Sequence, residues 1–244
     1  MNAPARESSR VDEERAFVLH SYPYSETSLI VDMFSVRFGR VPLVARGARR
    51  PRSTLRGVLL AFQPLSIAWS GRGEVRTLHR AEWLGGLPRP AGRAMWCGFY
   101  LNELLMRLLA RDDPHERLFL AYGEAIERIA TQGALEPVLR WFEKHLLREL
   151  GYGLVLEAEG DTGRPLEDDA IYSYDPERGP LRAAGPLRSP GTVSGRTLKA
   201  IAAERFDEPQ VLAEAKVLMR QVIGFRLERQ PLRVTQVFRA LQEL

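Results

Sequence analysis

Cysteine is nearly absent from this 244-residue chain: Cys97 stands alone, in the apolar setting Trp96-Cys97-Gly98-Phe99 of a buried packing residue. No intrachain disulfide can form and no thiolate zinc cluster can be built, so a cytoplasmic setting is expected. Lysine is almost as scarce. Lys144, Lys199 and Lys216 are the whole set against 32 arginines, and the first 143 residues contain none. Nucleotide-composition bias accounts for such a ratio, but its chemical consequence stands either way. Cationic contacts in the N-terminal half must be guanidinium, which grips phosphate in bidentate fashion and stacks on bases. No Gly-Lys-Ser/Thr occurs, which excludes a Walker-type phosphate loop. No Gly-x-Ser-x-Gly, HExxH or paired-carboxylate signature is present. The four histidines, His20, His79, His115 and His145, are scattered without ligand-spaced partners. Neither catalytic residues, nor a metal site, nor a cofactor is expected. Apolar runs fall far short of the roughly 18–20 residues that a membrane span needs. Residues 1–10, MNAPARESSR, lack an apolar core and read as a disordered lead-in.

Acidic residues are missing from one place in particular. Between Met33 and Gly73 there are eight arginines and no Asp or Glu, while the whole chain carries a formal charge of +4. The remainder is therefore mildly acidic, and the basicity is one local patch. A single-sign patch of this kind is the electrostatic footprint of a polyanion partner.

In chain order, residues 11–83 read as β-structure. Ala16–His20 and Ser28–Phe34 flank the turn formers SYPYSET. Val41–Ala45, Leu65–Trp69 and Val75–Glu82 complete five short strands, the count of a small closed OB-type barrel. Thr54–Phe62 is placed where such barrels carry a short helix. Alternation turns most of Phe34, Phe38, Phe62 and Trp69 inward, and no aromatic is nominated for base stacking. Leu87–Gly92 is a Pro/Gly joint, after which the periodicity becomes helical. Helices are expected over 93–111, 114–131, 135–150, 197–203 and 210–223, with a last amphipathic segment over Leu232–Leu241. Asp113, Pro114 and Glu116 have the order of a capping box. Residues 151–191, with seven glycines and five prolines, read as an irregular insertion holding a strand at Tyr172–Tyr174 and a turn at Asp175–Gly179. The fold class is α+β in two domains, a barrel at 11–86 and a helical domain at 87–244.

These pieces resemble the bacterial recombination mediator family RecO. The resemblance rests on Arg15-Ala-Phe-Val-Leu-His-Ser21, Tyr24-Ser-Glu-Thr-Ser-Leu29, Gly39-Arg-Val41, Val44-Ala-Arg-Gly-Ala-Arg49 and Arg52-Ser-Thr-Leu-Arg-Gly57. In the helical part it rests on Tyr100-Leu-Asn-Glu-Leu-Leu105, Leu118-Phe, Tyr122, Leu139-Arg-Trp-Phe-Glu143, Leu150-Gly-Tyr-Gly153 and Ser194-Gly-Arg-Thr-Leu-Lys-Ala200. It covers the chain nearly end to end. It implies an OB domain, a helical domain and a zinc-finger-like element between its parts. It also implies binding of single- and double-stranded DNA, strand annealing, and work with RecR and the acidic tail of single-strand-binding protein to load RecA at the nucleoid. Many family members carry four cysteines in the segment matching 151–191. This chain has none there, and no histidine either, so no zinc is expected.

Two groups of cations are the candidate sites. Arg40, Arg46, Arg49, Arg50, Arg52 and Arg56 are expected to track a phosphate backbone; the alternative is a solvated basic loop. Arg140, Lys144 and Arg148 fall at i, i+4 and i+8 on one helix, beside an apolar edge of Leu139, Phe142 and Leu146. They either grip an acidic, aromatic-ended tail or merely favour the helix C-terminus, with an Arg140–Glu136 pair. Arg220, Arg226, Arg229 and Arg233 either extend a DNA path or form a solvated face. Two rivals stand beside the family expectation: an OB module for structured RNA, and a nuclease or ligase fragment. The second has neither clustered carboxylates nor a nucleotide-binding lysine in its N-terminal domain to support it.

Overall fold

The computed structural model describes residues 10–131, 133–183, 191–228, 230–234 and 236. Residues 1–9 of the expected lead-in and most of the expected last segment, Leu232–Leu241, lie outside them, and Arg10, the end of that lead-in, instead begins the first strand. The fold is α+β, and the chain divides into two compact units, Met1–Thr131 and Gln132–Leu244.

The first unit opens with five strands, β1 (Arg10–Tyr24), β2 (Ser28–Ser35), β3 (Gly39–Ala45), β4 (Pro64–Ser70) and β5 (Arg76–Trp83). They close in the order β1-β2-β3-β5-β4, with β3 and β5 parallel and every other pair antiparallel. This is an OB-like barrel. Alternation places Val31, Met33, Val41, Leu43, Leu65, Ile67 and Trp69 inside, all fully buried. Phe38 meets the Trp69 ring edge-on, at 5.1 Å. Of the expected inward aromatics, Phe38 and Trp69 face the barrel core, whereas Phe34 and Phe62 are buried outside it, against Phe119 and Phe99.

Two local expectations shift. Strand β1 runs to Tyr24, through residues expected to turn, and Tyr22, Pro23 and Tyr24 pair with Ile30, Leu29 and Ser28. Proline is tolerated because β1 pairs with β4 only over Arg10–Phe17, leaving that edge without a ladder to break. The turn is then only Ser25–Thr27, with Ser25 at φ 52. The helix expected over Thr54–Phe62 is a single 3-10 turn, Thr54–Gly57, because the chain straightens to bridge Ala61 to Val18.

Helices α1 (Arg93–Leu108) and α2 (Glu116–Thr131) belong to the same compact unit as the barrel. A second core forms on the outer barrel face. Phe17 lies 5.1 Å from Phe119 and 5.0 Å from Tyr122, and Phe34 lies 5.4 Å from Phe119. The Tyr122 hydroxyl donates to Asn102 Oδ1 at 2.6 Å, and Asn102 Nδ2 donates to Leu19 O at 2.8 Å. Full burial of the ring pushes the Tyr122 phenol well above its ordinary range, so it stays a donor. Gly98 is required for close approach: a Cβ there would run into the Phe62 ring. Cys97, next to it, is half-buried rather than buried. Helix α2 starts two residues later than the expected capping box, and the Asp113 carboxylate meets His115 Nε2 at 3.0 Å.

The second unit contains α3 (Leu135–Glu149), a sheet of β6 (Ile171–Asp175), β7 (Gly179–Arg182) and β8 (Thr192–Ser194) in the order β7-β6-β8, then α4 (Gly195–Ala202) and α5 (Pro209–Arg226). Ser194 caps α4, its Oγ accepting from Thr197 N at 3.2 Å and donating to Glu214 at 2.7 Å. Asp175 closes the expected turn, accepting from Glu177 N and Arg178 N at 2.8 and 2.9 Å, and those two N–H groups lower its pKa. The described part of the insertion is gathered on Glu159, buried to 4% exposure. Its carboxylate accepts from Thr162 Oγ1 at 2.5 Å, Arg182 Nη1 at 3.4 Å and Tyr172 OH at 3.5 Å. Among the described residues no three His, Cys, Asp or Glu side chains converge to hold a metal ion, and no helix is long and apolar enough to cross a membrane.

Candidate nucleic-acid interface

The segment after β3 is a chain of tight turns rather than a free loop. Gly47 at φ 66 starts it. Arg50 N then bonds Gly47 O at 3.0 Å, Ser53 N bonds Arg50 O at 3.0 Å, and Arg56 N bonds Ser53 O at 3.3 Å. Apolar residues interrupt the arginines and fasten the backbone: Ala48 and Leu59 are buried in the barrel core, with Leu55 and Val58 packed on it. Arg49 N also donates to Thr27 O at 2.8 Å, lacing the segment to the β1–β2 turn. The backbone is therefore held while the cations point outward.

Five of the six sequence candidates are brought together here. Arg46, Arg49, Arg50, Arg52 and Arg56 are all exposed. Arg49 Nη1 reaches Ser25 O at 3.5 Å. Among the described residues the other four have neither an ion pair nor a side-chain hydrogen bond. The cause is compositional, because no acid lies within the segment and the exposed Glu26 in the adjoining turn pairs with none of the described residues. Glu74 on the β4–β5 turn faces Arg111 at 3.8 Å instead.

Arg40 is the exception. Its Nη1 donates to Met106 O near the end of α1, and burial lowers its pKa against the opposing pull of Asp32. It is a strut between barrel and helix, not a member of the open surface.

Sequence reasoning misses Tyr24. It is 50% exposed at the end of β1 and lines a notch with Ser28, Val44, Arg46, Arg50, Val75 and Thr77. Its run of turn formers hid it. The signal available was an aromatic next to the turn that faces the basic segment.

The helical candidates behave differently. Arg140 is 7% exposed and its Nη2 meets Glu143 Oε1, while Glu143 is fully buried. Lys144 Nζ holds Glu204 at 2.9 Å and Ala202 O at 2.8 Å. Arg148 is exposed, donating to His145 Nδ1 at 2.9 Å and lying 3.5 Å from Glu149. The three share a helix face but are not an open cationic stripe. Glu136, expected opposite Arg140, receives Lys216 Nζ at 2.6 Å. Arg226 is likewise engaged, donating to Pro176 O at 3.1 Å with its guanidinium 4.1 Å from the centre of the Tyr152 ring. Arg220 and Arg233 are exposed, and Arg229 lies outside the described residues.

A closed five-stranded barrel with an unneutralised guanidinium surface at one mouth defines an OB-fold protein suited to a polyanion. Comparison with known proteins narrows that class. Residues 10–87 match the family described as recombination protein O N terminal, and residues 89–236 match recombination protein O C terminal. The chain is 52% identical to the DNA repair protein RecO of Aromatoleum aromaticum over 96% of this chain and 98% of that one. It is 51% identical to that of Dechloromonas aromatica, over 97% and 98%. For Thiobacillus denitrificans the figure is 48%, over 97% and 94%. The chain belongs to the RecO family of DNA repair and recombination proteins.

Proposed function

We propose that this chain is a non-enzymatic recombination mediator. It binds single- and double-stranded DNA through Arg46, Arg49, Arg50, Arg52 and Arg56, anneals complementary strands, and helps load RecA onto strands coated with single-strand-binding protein. The observation that carries the reading is the exposed, unneutralised arginine segment held on a rigid barrel mouth. Neutralising phosphates on two strands lowers the repulsion between them and needs no covalent step, nucleotide or metal. RecR and the acidic tail of single-strand-binding protein are its protein partners, and it works at the nucleoid in the cytoplasm. The tail docks on α3, where Arg148 is the exposed cation, Lys144 is half-buried, and Arg140 supports the helix from within through Glu143.

Annealing of complementary strands coated with single-strand-binding protein tests this. The chain accelerates annealing when the acidic tail is present and loses that effect on tail-less coated strands. Naked strands anneal faster in both cases. No acceleration of either substrate, or a requirement for a nucleotide, would contradict the proposal.

A further inference from the structure

We propose that the notch beneath Tyr24 is a stacking site for one unpaired base, with the flanking phosphates held by Arg46 and Arg50. The inference rests on the DNA-binding reading of the arginine segment and adds to it a means of telling single strands from duplex.

The geometry points there for three reasons. First, its lining is of two kinds. Arg46 and Arg50 are exposed and without ion pairs among the described residues, while Tyr24 and the 42% exposed Val75 offer apolar surface. The β1–β2 turn and the start of β5 bring these together, because Val44 pairs with Thr77 and Leu29 with Ala45. Second, no acidic side chain lines it, and its polar lining includes the hydroxyls of Ser25, Thr27, Ser28 and Thr77. A base presents donors and acceptors on its edges that such hydroxyls serve, and its phosphates meet guanidinium at the rim. Third, the notch has a volume of about 500 Å³, within the range of roughly 300–1,000 Å³ typical of small-ligand sites.

The other exposed aromatics of the barrel are placed differently. Tyr22 packs edge-on against His20 at 4.4 Å. Trp83, 60% exposed, pairs with Leu65, whose partner on β1 is Ala16, eight residues before Tyr24. Tyr24 is the exposed aromatic that shares a lining with the free arginines. A ring there offers a π-face to any base, provided the base is unpaired.

The test uses the full chain with three variants, Tyr24→Ala, Tyr24→Phe and Arg46→Glu/Arg50→Glu, on an oligothymidine strand carrying 2-aminopurine and on a blunt duplex of equal charge. Tyr24→Ala is expected to weaken single-strand binding by roughly ten- to a hundredfold, the range for losing one base–aromatic stack. Duplex affinity stays within about twofold, and quenching of 2-aminopurine on binding is lost. Tyr24→Phe retains both affinity and quenching. The double arginine variant loses single strand and duplex alike. If Tyr24→Ala binds and quenches like the parent while the arginine variant does not bind, the stacking site is wrong and the DNA surface stands. Equal weakening on single strand and duplex by Tyr24→Ala also overturns stacking. If the arginine variant binds both DNAs normally, the DNA surface itself is wrong.

Discussion

The arginine segment after β3 and the cationic face of α3 look alike in sequence and have opposite fates. Each concentrates several cations within about ten residues. In the first, five guanidinium groups are exposed and, Arg49 apart, have no protein partner among the described residues. In the second, Arg140 is buried against Glu143, and Lys144 is spent on Glu204 and a carbonyl. The difference lies in acids within reach rather than in the cations. No Asp or Glu occurs from Met33 to Gly73, whereas α3 carries Glu143 three residues after Arg140 and meets Glu204 from the end of α4. A cation cluster stays unneutralised where composition withholds its counter-charges.

The largest effect that sharpens this contrast is structural. Arg140→Ala leaves the Glu143 carboxylate buried without its cation, and should cost about 3–5 kcal/mol of stability, the usual penalty for breaking a buried pair. Denaturant unfolding measures it, and the salt dependence of DNA binding should not change. An Arg140 variant of parental stability would mean that the pair is not structural and would return Arg140 to the cations available to a partner on α3.

A smaller effect concerns pH. Burial lowers the His145 pKa, against the opposing charge of Glu204 and with help from Arg148 and Lys144. The imidazole accepts from Arg148 at Nδ1 and lies 3.2 Å from Glu204 at Nε2. Glu204 feels burial first, which raises its pKa, but Lys144 and His145 together bring it below its ordinary value. For His145 the unfolded chain binds the proton more readily than the folded one. Stability is therefore full above an unfolded pKa of about 6.5 and declines as pH falls from there toward the folded value. His145→Gln should flatten the decline between about pH 6.5 and 5 in thermal melts. A parental slope in that variant would assign the decline to other groups.

Much of the fold is legible in the sequence because barrel strands bury one face. Alternation at Val31, Met33, Val41, Leu43, Leu65 and Ile67 marks the interior, and the order of five strands marks the closure. Punctuation misleads at Tyr22-Pro23-Tyr24, where turn-forming residues extend a strand because its other edge is open. That one misreading also concealed Tyr24. The Leu19–Asn102–Tyr122 tie joins residues far apart in the chain, so no local period reveals it, although Asn102 and Tyr122 both fall on motifs of the family resemblance. Arg140 and Glu143 lie within one motif, Leu139-Arg-Trp-Phe-Glu143. Their i,i+3 spacing permits the pair, but its burial depends on packing that the spacing does not express.

The contrast between free and spent cations is tested most directly by measuring single-strand affinity against salt for three proteins: the parent, Arg46→Glu/Arg50→Glu and Arg148→Glu. With about five phosphates neutralised, log K against log salt should fall with a slope of roughly −3 to −4 for the parent. Arg148→Glu should keep that slope. The double loop variant should lose at least about 1.4 of it, roughly 0.7 for each phosphate contact removed. A parental slope in the loop variant, or a loss confined to Arg148→Glu, would contradict the assignment of the barrel mouth as the DNA surface.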